Sequence, residues 1–186
     1  MNKIKPELLA PAGSFEKAKT AFLYGADAVY CGTGALSLRS RAEVDDSDLE
    51  KTIKYAHSIG KKVYAALNIY AWDTNYEEIE KQVKMLDEVH VDAIIASDGG
   101  VIQKIREIAP NIEIHVSTQA NVVSYHAAKF WYDNGAKRVI LGRETSKDQI
   151  QEIMKNKPED LEVEMFIHGA LCWAYSGRCF LSEYLS

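Results

Sequence analysis

The sequence has 186 residues, of which 47% are hydrophobic and 26% are charged, which is ordinary for one globular domain with a sizeable core. Its formal net charge of −5 excludes a general attraction to nucleic acid, so an RNA substrate would need a local basic patch. No apolar run reaches the roughly 18 residues that span a bilayer, and the first residues are charged. We therefore expect a cytoplasmic protein without a membrane span. The arginines that could form a basic patch are Arg39, Arg41, Arg138, Arg143 and Arg178.

One unit repeats along the chain: a short apolar strand, a polar or glycine-containing loop, and an amphipathic helix. The predicted strands cover residues 7–11, 26–31, 62–68, 92–97, 113–118, 138–142 and 162–168. The predicted helices cover residues 14–24, 47–58, 76–89, 99–108, 122–134 and 146–155. The expected N-caps are Ser14, Asp48 and Ser146, and the glycines expected at helix ends are Gly25, Gly60 and Gly135. No linker interrupts the repeat, so we predict a single domain over residues 1–186.

Seven strands alternating with six helices predict a parallel α/β fold, which is either an open doubly wound sheet or a (β/α)8 barrel. Polar residues inside the strands decide between them. Glu113, His115 and Ser117 share one face of their strand, and Tyr64 and Asn68 share one face of another. An open sheet covered by helices needs two apolar faces, whereas a barrel can hold polar groups inside. We predict a TIM-barrel-like fold that is incomplete, because an eighth strand is missing.

Active sites of parallel α/β proteins lie beyond the carboxyl ends of the strands. Strand ends are polar in any case because they meet solvent, but here they carry unusually bulky hydrogen-bonding groups. The predicted substrate-binding rim consists of Asn68, Gln119, Arg143 and Glu144. Arg39 and Arg41 follow the second strand and could bind a carboxylate or phosphate in bidentate fashion, although Arg41 alone is better explained as a solvated residue.

Two cysteines, Cys172 and Cys179, lie on a loop rich in Gly, Ser and Tyr that follows the strand ending at His168. Thiolates bind iron–sulfur clusters and zinc, and Arg178 nearby would favour the ionised thiol. The spacing of the two cysteines alone is a weak metal signal. A Cys172 nucleophile with His168 as its base is an alternative, and so is a pair of loop cysteines without a role. Cys31 ends an apolar strand and is predicted to be a buried small residue.

The last part of the chain resembles the signature of the collagenase-like peptidase family U32. That signature reads Glu-x-Phe-x-x-Gly-(Ser/Ala)-Leu-Cys-x4-Gly-x-Cys-x-Leu-Ser. It is met at Glu164, Phe166, Gly169, Ala170, Leu171, Cys172, Gly177, Cys179, Leu181 and Ser182. Residues 7–13, residues 25–30 and the pair Ser37 and Arg39 also resemble the family.

The resemblance implies two alternative activities. The family is named for peptidases, yet this chain has no H-E-x-x-H zinc-protease motif. Other members resemble prephenate-dependent tRNA uridine hydroxylases, a ribosomal RNA cytidine hydroxylase and ubiquinone-hydroxylating proteins. The resemblance thus implies tRNA or another RNA as substrate and prephenate as a small anionic co-substrate, held by the rim residues, Arg39 and His168.

In several of these relatives, four cysteines hold a 4Fe–4S cluster. By resemblance, Cys172 and Cys179 are the first two metal ligands, and the other two would lie further along the chain. We therefore expect the chain to be the N-terminal part of a longer iron–sulfur-dependent enzyme. The alternatives are a short subunit that shares a site with a partner subunit, and a non-catalytic fragment.

Overall fold

The computed structural model describes residues 5–37, 43–169, 172 and 174–177. The strands of this part of the chain are β1 Leu9–Pro11, β2 Ala28–Thr33, β3 Glu43–Val44, β4 Lys62–Ala66, β5 Ala93–Ala96, β6 Glu113–Val116, β7 Arg138–Ile140 and β8 Glu162–Glu164. The α-helices are α1 Phe15–Leu23, α2 Asp46–Ser58, α3 Tyr76–Glu88, α4 Gly99–Ile108, α5 Tyr125–Asp133 and α6 Lys147–Asn156. The predicted alternation of strands and helices is confirmed, and the short strand β3 is an addition to it.

All strand pairs of the described sheet are parallel. Seven strands follow one another in the order β1-β2-β4-β5-β6-β7-β8, and β3 pairs with β2 beside this path. The sheet curls into a half-barrel with helices on its outer face, so the predicted incomplete TIM-barrel-like fold is confirmed. In parallel strands all carboxyl ends meet at one edge, which we call the mouth.

Two apolar clusters follow from the alternation of side chains along the strands. The larger cluster lies between the outer face of the sheet and the helices and includes Val63, Ile94 and Val139. The smaller cluster lies on the inner face and consists of Ala28, Tyr64, Ala66, Ala93, Ile95 and Ile140. The inner positions that this small cluster leaves free hold polar side chains, as the barrel prediction requires.

Most of the predicted helix-capping residues are found at the observed helix ends. Ser14 and Ser146 cap their helices, and Gly25, Gly60 and Gly135 have the positive φ angles typical of helix ends. The prediction that Asp48 is an N-cap is wrong. Asp45 caps α2 instead, because its carboxylate accepts a hydrogen bond from the Asp48 backbone N–H at 2.7 Å.

The predicted and observed bounds differ most at helix α5 and strand β8. Helix α5 begins at Tyr125 rather than at residue 122, because Val122 forms a parallel bridge with Leu141 and Ser124 caps the helix. Strand β8 ends at Glu164 rather than at residue 168. The chain therefore leaves the sheet four residues before His168.

An ion-pair network fills the inner face at the amino end of the half-barrel. The Arg138 guanidinium binds Glu7 at 2.7 Å, Glu164 at 3.3 Å and, through Nε, Glu162 at 2.8 Å. It also lies 5.1 Å from the centre of the Tyr64 ring, whose hydroxyl donates to Glu7 at 2.9 Å. The network joins the segment before β1 to β4, β7 and β8 across the interior.

The protonation equilibria in this network follow from burial and pairing. Burial acts to raise the pKa of Glu7, but the hydrogen bonds from Arg138 and Tyr64 outweigh it and the pKa lies below its usual value. Burial raises the pKa of Glu164 despite the opposing effect of Arg138. The three carboxylates thus neutralise Arg138. Arg138 begins β7, whereas Arg143 follows the other end of this strand. The expectation that Arg138 contributes to a basic patch is therefore wrong.

Asp27 gives one pH-dependent contribution to stability. Its carboxylate accepts hydrogen bonds from the Leu8 backbone N–H at 3.0 Å and from Lys61 at 3.2 Å, which lower its pKa from 3.8 to about 2. Because the pKa of Asp27 is lower in the folded state than in the unfolded state, its ionised carboxylate stabilises the fold at pH values above the unfolded-state pKa. This stabilisation is lost as the pH falls toward 2. We expect Asp27→Asn to flatten the dependence of the urea midpoint on pH in this range. Asp133→Asn, which removes an exposed partner of Lys129, is the control, and equal flattening in both variants would contradict the assignment.

Candidate functional site

The described residues of the predicted rim all lie at the mouth. Asn68 follows β4, Gln119 lies in a 3₁₀ turn after β6, and Arg143 and Glu144 follow β7. The predicted catalytic residue His168 follows β8 and is exposed. The predicted residues Arg39 and Cys179 lie outside the described residues, so their roles stay predictions.

A small polar cluster holds the cysteine-bearing segment against this rim. The Ser176 hydroxyl is buried and accepts hydrogen bonds from the Arg143 backbone N–H at 3.1 Å and from the Thr118 hydroxyl at 3.3 Å. The Ser176 backbone N–H donates to the Glu144 carboxylate at 3.4 Å, and the Asn121 amide donates to the same carboxylate. Residues 174–177 are therefore fixed to the loops after β6 and β7.

Close packing explains a glycine of the family signature. Gly177 has φ +72°, and a β-carbon at this position would overlap the carbonyl oxygen of Gln119. Gly142 is similarly enclosed, since a β-carbon there would lie 2.9 Å from both the Glu144 carboxylate and Val123. Only glycine allows the segment to approach the turn after β6 this closely.

Sequence reasoning missed the residues that assemble this cluster. Thr118, Asn121 and Ser176 carry no motif of their own, and Asn121 adopts the left-handed conformation with φ +52°. The available signals were weak: Thr118 belongs to the polar end of β6, and Ser176 stands next to the signature glycine. Glu144, predicted to bind substrate, here binds Asn121 and Ser176.

Two groups at the rim lack a polar partner among the described residues. The Gln119 side-chain oxygen is buried and has no hydrogen-bond partner among the described residues. Arg143 is exposed, lies 6.0 Å from the centre of the Phe166 ring and forms no ion pair with the described carboxylates. The rim can therefore offer one hydrogen-bond acceptor and one cation.

The two described cysteines, Cys31 and Cys172, differ in their exposure to solvent. Cys31 is buried, and desolvation raises the pKa of its thiol to about 12, so its prediction as a buried small residue is confirmed. Cys172 is free and exposed. No hydrogen bond joins its thiol to His168 in the described part of the chain, and the nucleophile–base pair stays a prediction. An exposed thiol on an anchored segment suits metal ligation, although residues 5–37, 43–169, 172 and 174–177 hold no group of three metal-binding side chains.

No helix in the described ranges is both long and apolar enough to span a bilayer.

Comparison with known proteins gives the family. The family model described as Peptidase family U32 matches residues 13–186. The chain is 48% identical to tRNA hydroxylation protein P of Haemophilus influenzae, covering 99% of this chain and 40% of that protein. It is 39% identical to the 23S rRNA 5-hydroxycytidine C2501 synthase of Escherichia coli, covering 95% of this chain and 26% of that protein.

The fold has a solved counterpart. The structure of the U32 peptidase Mk0906 superposes with a TM-score of 0.70 at 14% identity, covering 88% of this chain and 70% of that chain. The chain spans less than half the length of the two curated relatives it matches. The match over residues 13–186 shows that the chain belongs to peptidase family U32.

Proposed function

We propose that the protein is an RNA hydroxylase of this family, or the part of one that carries its half-barrel, and that its substrate is tRNA. The observation that carries this proposal is the 48% identity to a tRNA hydroxylation protein over 99% of the chain. The similarity to a ribosomal RNA 5-hydroxycytidine synthase supports the same class of reaction. An RNA substrate of this kind agrees with the expected cytoplasmic location.

The mouth supplies groups for a small anionic co-substrate such as prephenate. Arg143 is an exposed cation without a carboxylate partner in the described ranges, so it would bind a carboxylate in bidentate fashion. Gln119 would accept a hydrogen bond through its buried side-chain oxygen. Asn68 and His168 lie at the same edge, and Arg39 is proposed to join them.

Two thiolates of this chain fit an iron–sulfur cluster. We infer that Cys172 and Cys179 hold one side of a 4Fe–4S cluster, since cysteine thiolates are its usual ligands. When bound, such a cluster supplies redox or Lewis-acid chemistry next to the mouth. The contribution of this chain would be to fix residues 174–177, which follow Cys172, to the loops that carry Gln119 and Arg143.

Iron content and product formation test the proposal. We expect Cys172→Ser to lower the iron and sulfide content of anaerobically purified protein, and to reduce tRNA hydroxylation in cells by about tenfold or more. Cys31→Ala is the matched control, because this thiol is buried against the helices and should leave both quantities unchanged. Nucleoside mass spectrometry of total tRNA measures the product. Wild-type protein that contains no iron and sulfide would contradict the cluster.

A peptidase is the second candidate, favoured by the match to the family described as Peptidase family U32. A thiol mechanism would require Cys172 as nucleophile and His168 as base, a pair that stays a prediction. Cleavage of a gelatin peptide by wild-type protein and Cys172→Ser distinguishes the two functions. Cleavage that the substitution leaves unchanged would remove the thiol from the mechanism.

A further inference from the structure

Arg143 and Glu144 are the two central residues of a tight turn that follows β7. The turn is closed by the Gly142 carbonyl, which accepts hydrogen bonds from the Thr145 backbone N–H at 3.1 Å and from the Thr145 hydroxyl at 2.6 Å. The Arg143 guanidinium extends from this turn to within 6.0 Å of the centre of the Phe166 ring. Because the turn is short and closed, its placement sets the position from which the Arg143 side chain reaches a ligand.

Ser176 binds this turn at two points. Its buried hydroxyl accepts a hydrogen bond from the Arg143 backbone N–H at 3.1 Å, and its own backbone N–H donates to the Glu144 carboxylate at 3.4 Å. The Thr118 hydroxyl lies 3.3 Å from the same Ser176 hydroxyl, which joins the turn after β6 to the cluster. A movement of Ser176 must therefore move the turn that carries Arg143 or break both of its hydrogen bonds to that turn.

The docking of Ser176 against the rim depends mainly on polar contacts. Within the described residues 174–177, Ser176 is the one that is buried, and the neighbouring Tyr175 is 70% exposed. Hydrogen bonds that replace contacts with water stabilise a fold only modestly, and segments with few buried apolar contacts open locally. An additional restraint on this segment would therefore raise the population of its docked state measurably.

The two proposed metal ligands flank the docked residues in the sequence. Cys172 precedes residue 174 by two positions, and Cys179 follows Gly177 by two positions. Two residues of extended chain span at most about 7 Å, so ligation of either thiol restrains the position of residues 174–177. Cys172 is exposed while Ser176 is docked, so ligation does not require the segment to leave the rim.

We propose that Ser176 is a positioning residue that couples ligation at Cys172 to carboxylate binding by Arg143. The proposal rests on the proposed function, since it connects the sites of the proposed cofactor and of the anionic co-substrate. Ligation restrains the segment in its docked state, the docked Ser176 holds the turn, and the turn presents the guanidinium. Coupling between two sites is reciprocal, so a carboxylate bound at Arg143 must also favour the docked state of the segment.

Prephenate affinity in two forms of the protein measures the coupling. Anaerobic isothermal titration calorimetry gives the dissociation constant for protein that contains iron and sulfide and for protein freed of both. We expect the loaded wild-type protein to bind prephenate about fivefold or more tightly than the cluster-free protein. Ser176→Ala should remove this difference, whereas a role in folding alone would weaken binding to both forms by the same factor. Ser58→Ala is the matched control, because the exposed Ser58 hydroxyl donates to the Tyr55 carbonyl at the end of α2, at the edge of the sheet opposite the mouth.

A second variant and a second measurement extend the test to protein without the cluster. Glu144→Gln keeps the Ser176 hydroxyl but removes one of the two carboxylate oxygens that accept from Asn121 and Ser176, so it should reduce the affinity difference. Amide hydrogen exchange of residues 174–177 in cluster-free wild-type protein should slow when prephenate is added. The same addition should leave exchange in Ser176→Ala unchanged, because the turn no longer holds the segment.

The possible outcomes distinguish the coupling from the function on which it rests. Equal prephenate affinities in loaded and cluster-free wild-type protein would overturn the coupling and leave both proposed binding sites standing. A difference that persists undiminished in Ser176→Ala and in Glu144→Gln would overturn the role of Ser176. Wild-type protein that binds prephenate in neither form would contradict the proposed co-substrate and the coupling together.

Discussion

Replacement of Arg138 by methionine is expected to lower the free energy of unfolding by about 3–5 kcal/mol, the usual result when one partner of a buried ion pair is removed. Arg138 is buried and binds Glu7, Glu162 and Glu164, so the variant would leave three carboxylates facing one interior without a cation. Urea denaturation at neutral pH measures the loss. The difference from wild type should shrink at low pH, because the unpaired carboxylates then take up protons.

Two further variants separate the loss of the Arg138 ion pairs from the loss of its side-chain packing. Arg106→Met removes an arginine whose guanidinium binds the Asn134 carbonyl at 3.2 Å on the surface, so it should change stability little. Adding Glu164→Gln to Arg138→Met should recover part of the loss, because it removes the buried carboxylate whose pKa burial raises. Equal destabilisation by Arg138→Met and Arg106→Met would contradict the assignment of Arg138 to a buried network.

The second large effect is expected at Gly177, where alanine should detach the cysteine-bearing segment from the rim. The added β-carbon would overlap the backbone carbonyl of Gln119, which cannot move aside as a flexible side chain could. We expect iron content and tRNA hydroxylation to fall by about tenfold or more, as for the loss of groups that orient metal ligands. Amide hydrogen exchange in residues 117–121 should rise at the same time, since Ser176 would leave Thr118.

Gly25→Ala provides a matched control for the backbone strain. Gly25 has φ +99°, and no atom lies within 4 Å of the position that its β-carbon would occupy. This variant incurs the left-handed penalty of about 1–2 kcal/mol without a collision. The assignment of Gly177 to the rim would be wrong if both variants retained full iron content.

The sequence predicts the barrel because polar residues recur on one face of apolar strands. Tyr64, His115 and Glu164 alternate with core residues, and an interior face of this kind is found in a barrel rather than in a doubly covered sheet. The same alternation could not reveal the partner of these residues. Arg138 and Glu7 are 131 positions apart, so their contact depends on how far the sheet curls and not on any local pattern.

The candidate site, like the fold, could be predicted only in part from the sequence. The strand ends place Gln119 and Arg143 at one edge, because parallel strands share the direction of their carboxyl ends. The roles of Ser176 and Glu144 depend on contacts between three separate loops, which no spacing in the sequence encodes. Helix boundaries were shifted by similar causes: Val122 is drawn into a bridge with Leu141, and α5 starts later.

The contact between Glu7 and Arg138 also constrains the order of assembly. A ribosome makes the first strand long before it makes β7, so the Glu7 carboxylate stays hydrated until the second half of the half-barrel exists. Closing so long a loop has an entropic cost that only late contacts can offset, and parallel sheets of this kind fold slowly. Glu7 is therefore among the last residues of the barrel to gain its full set of partners, although it is among the first to be synthesised.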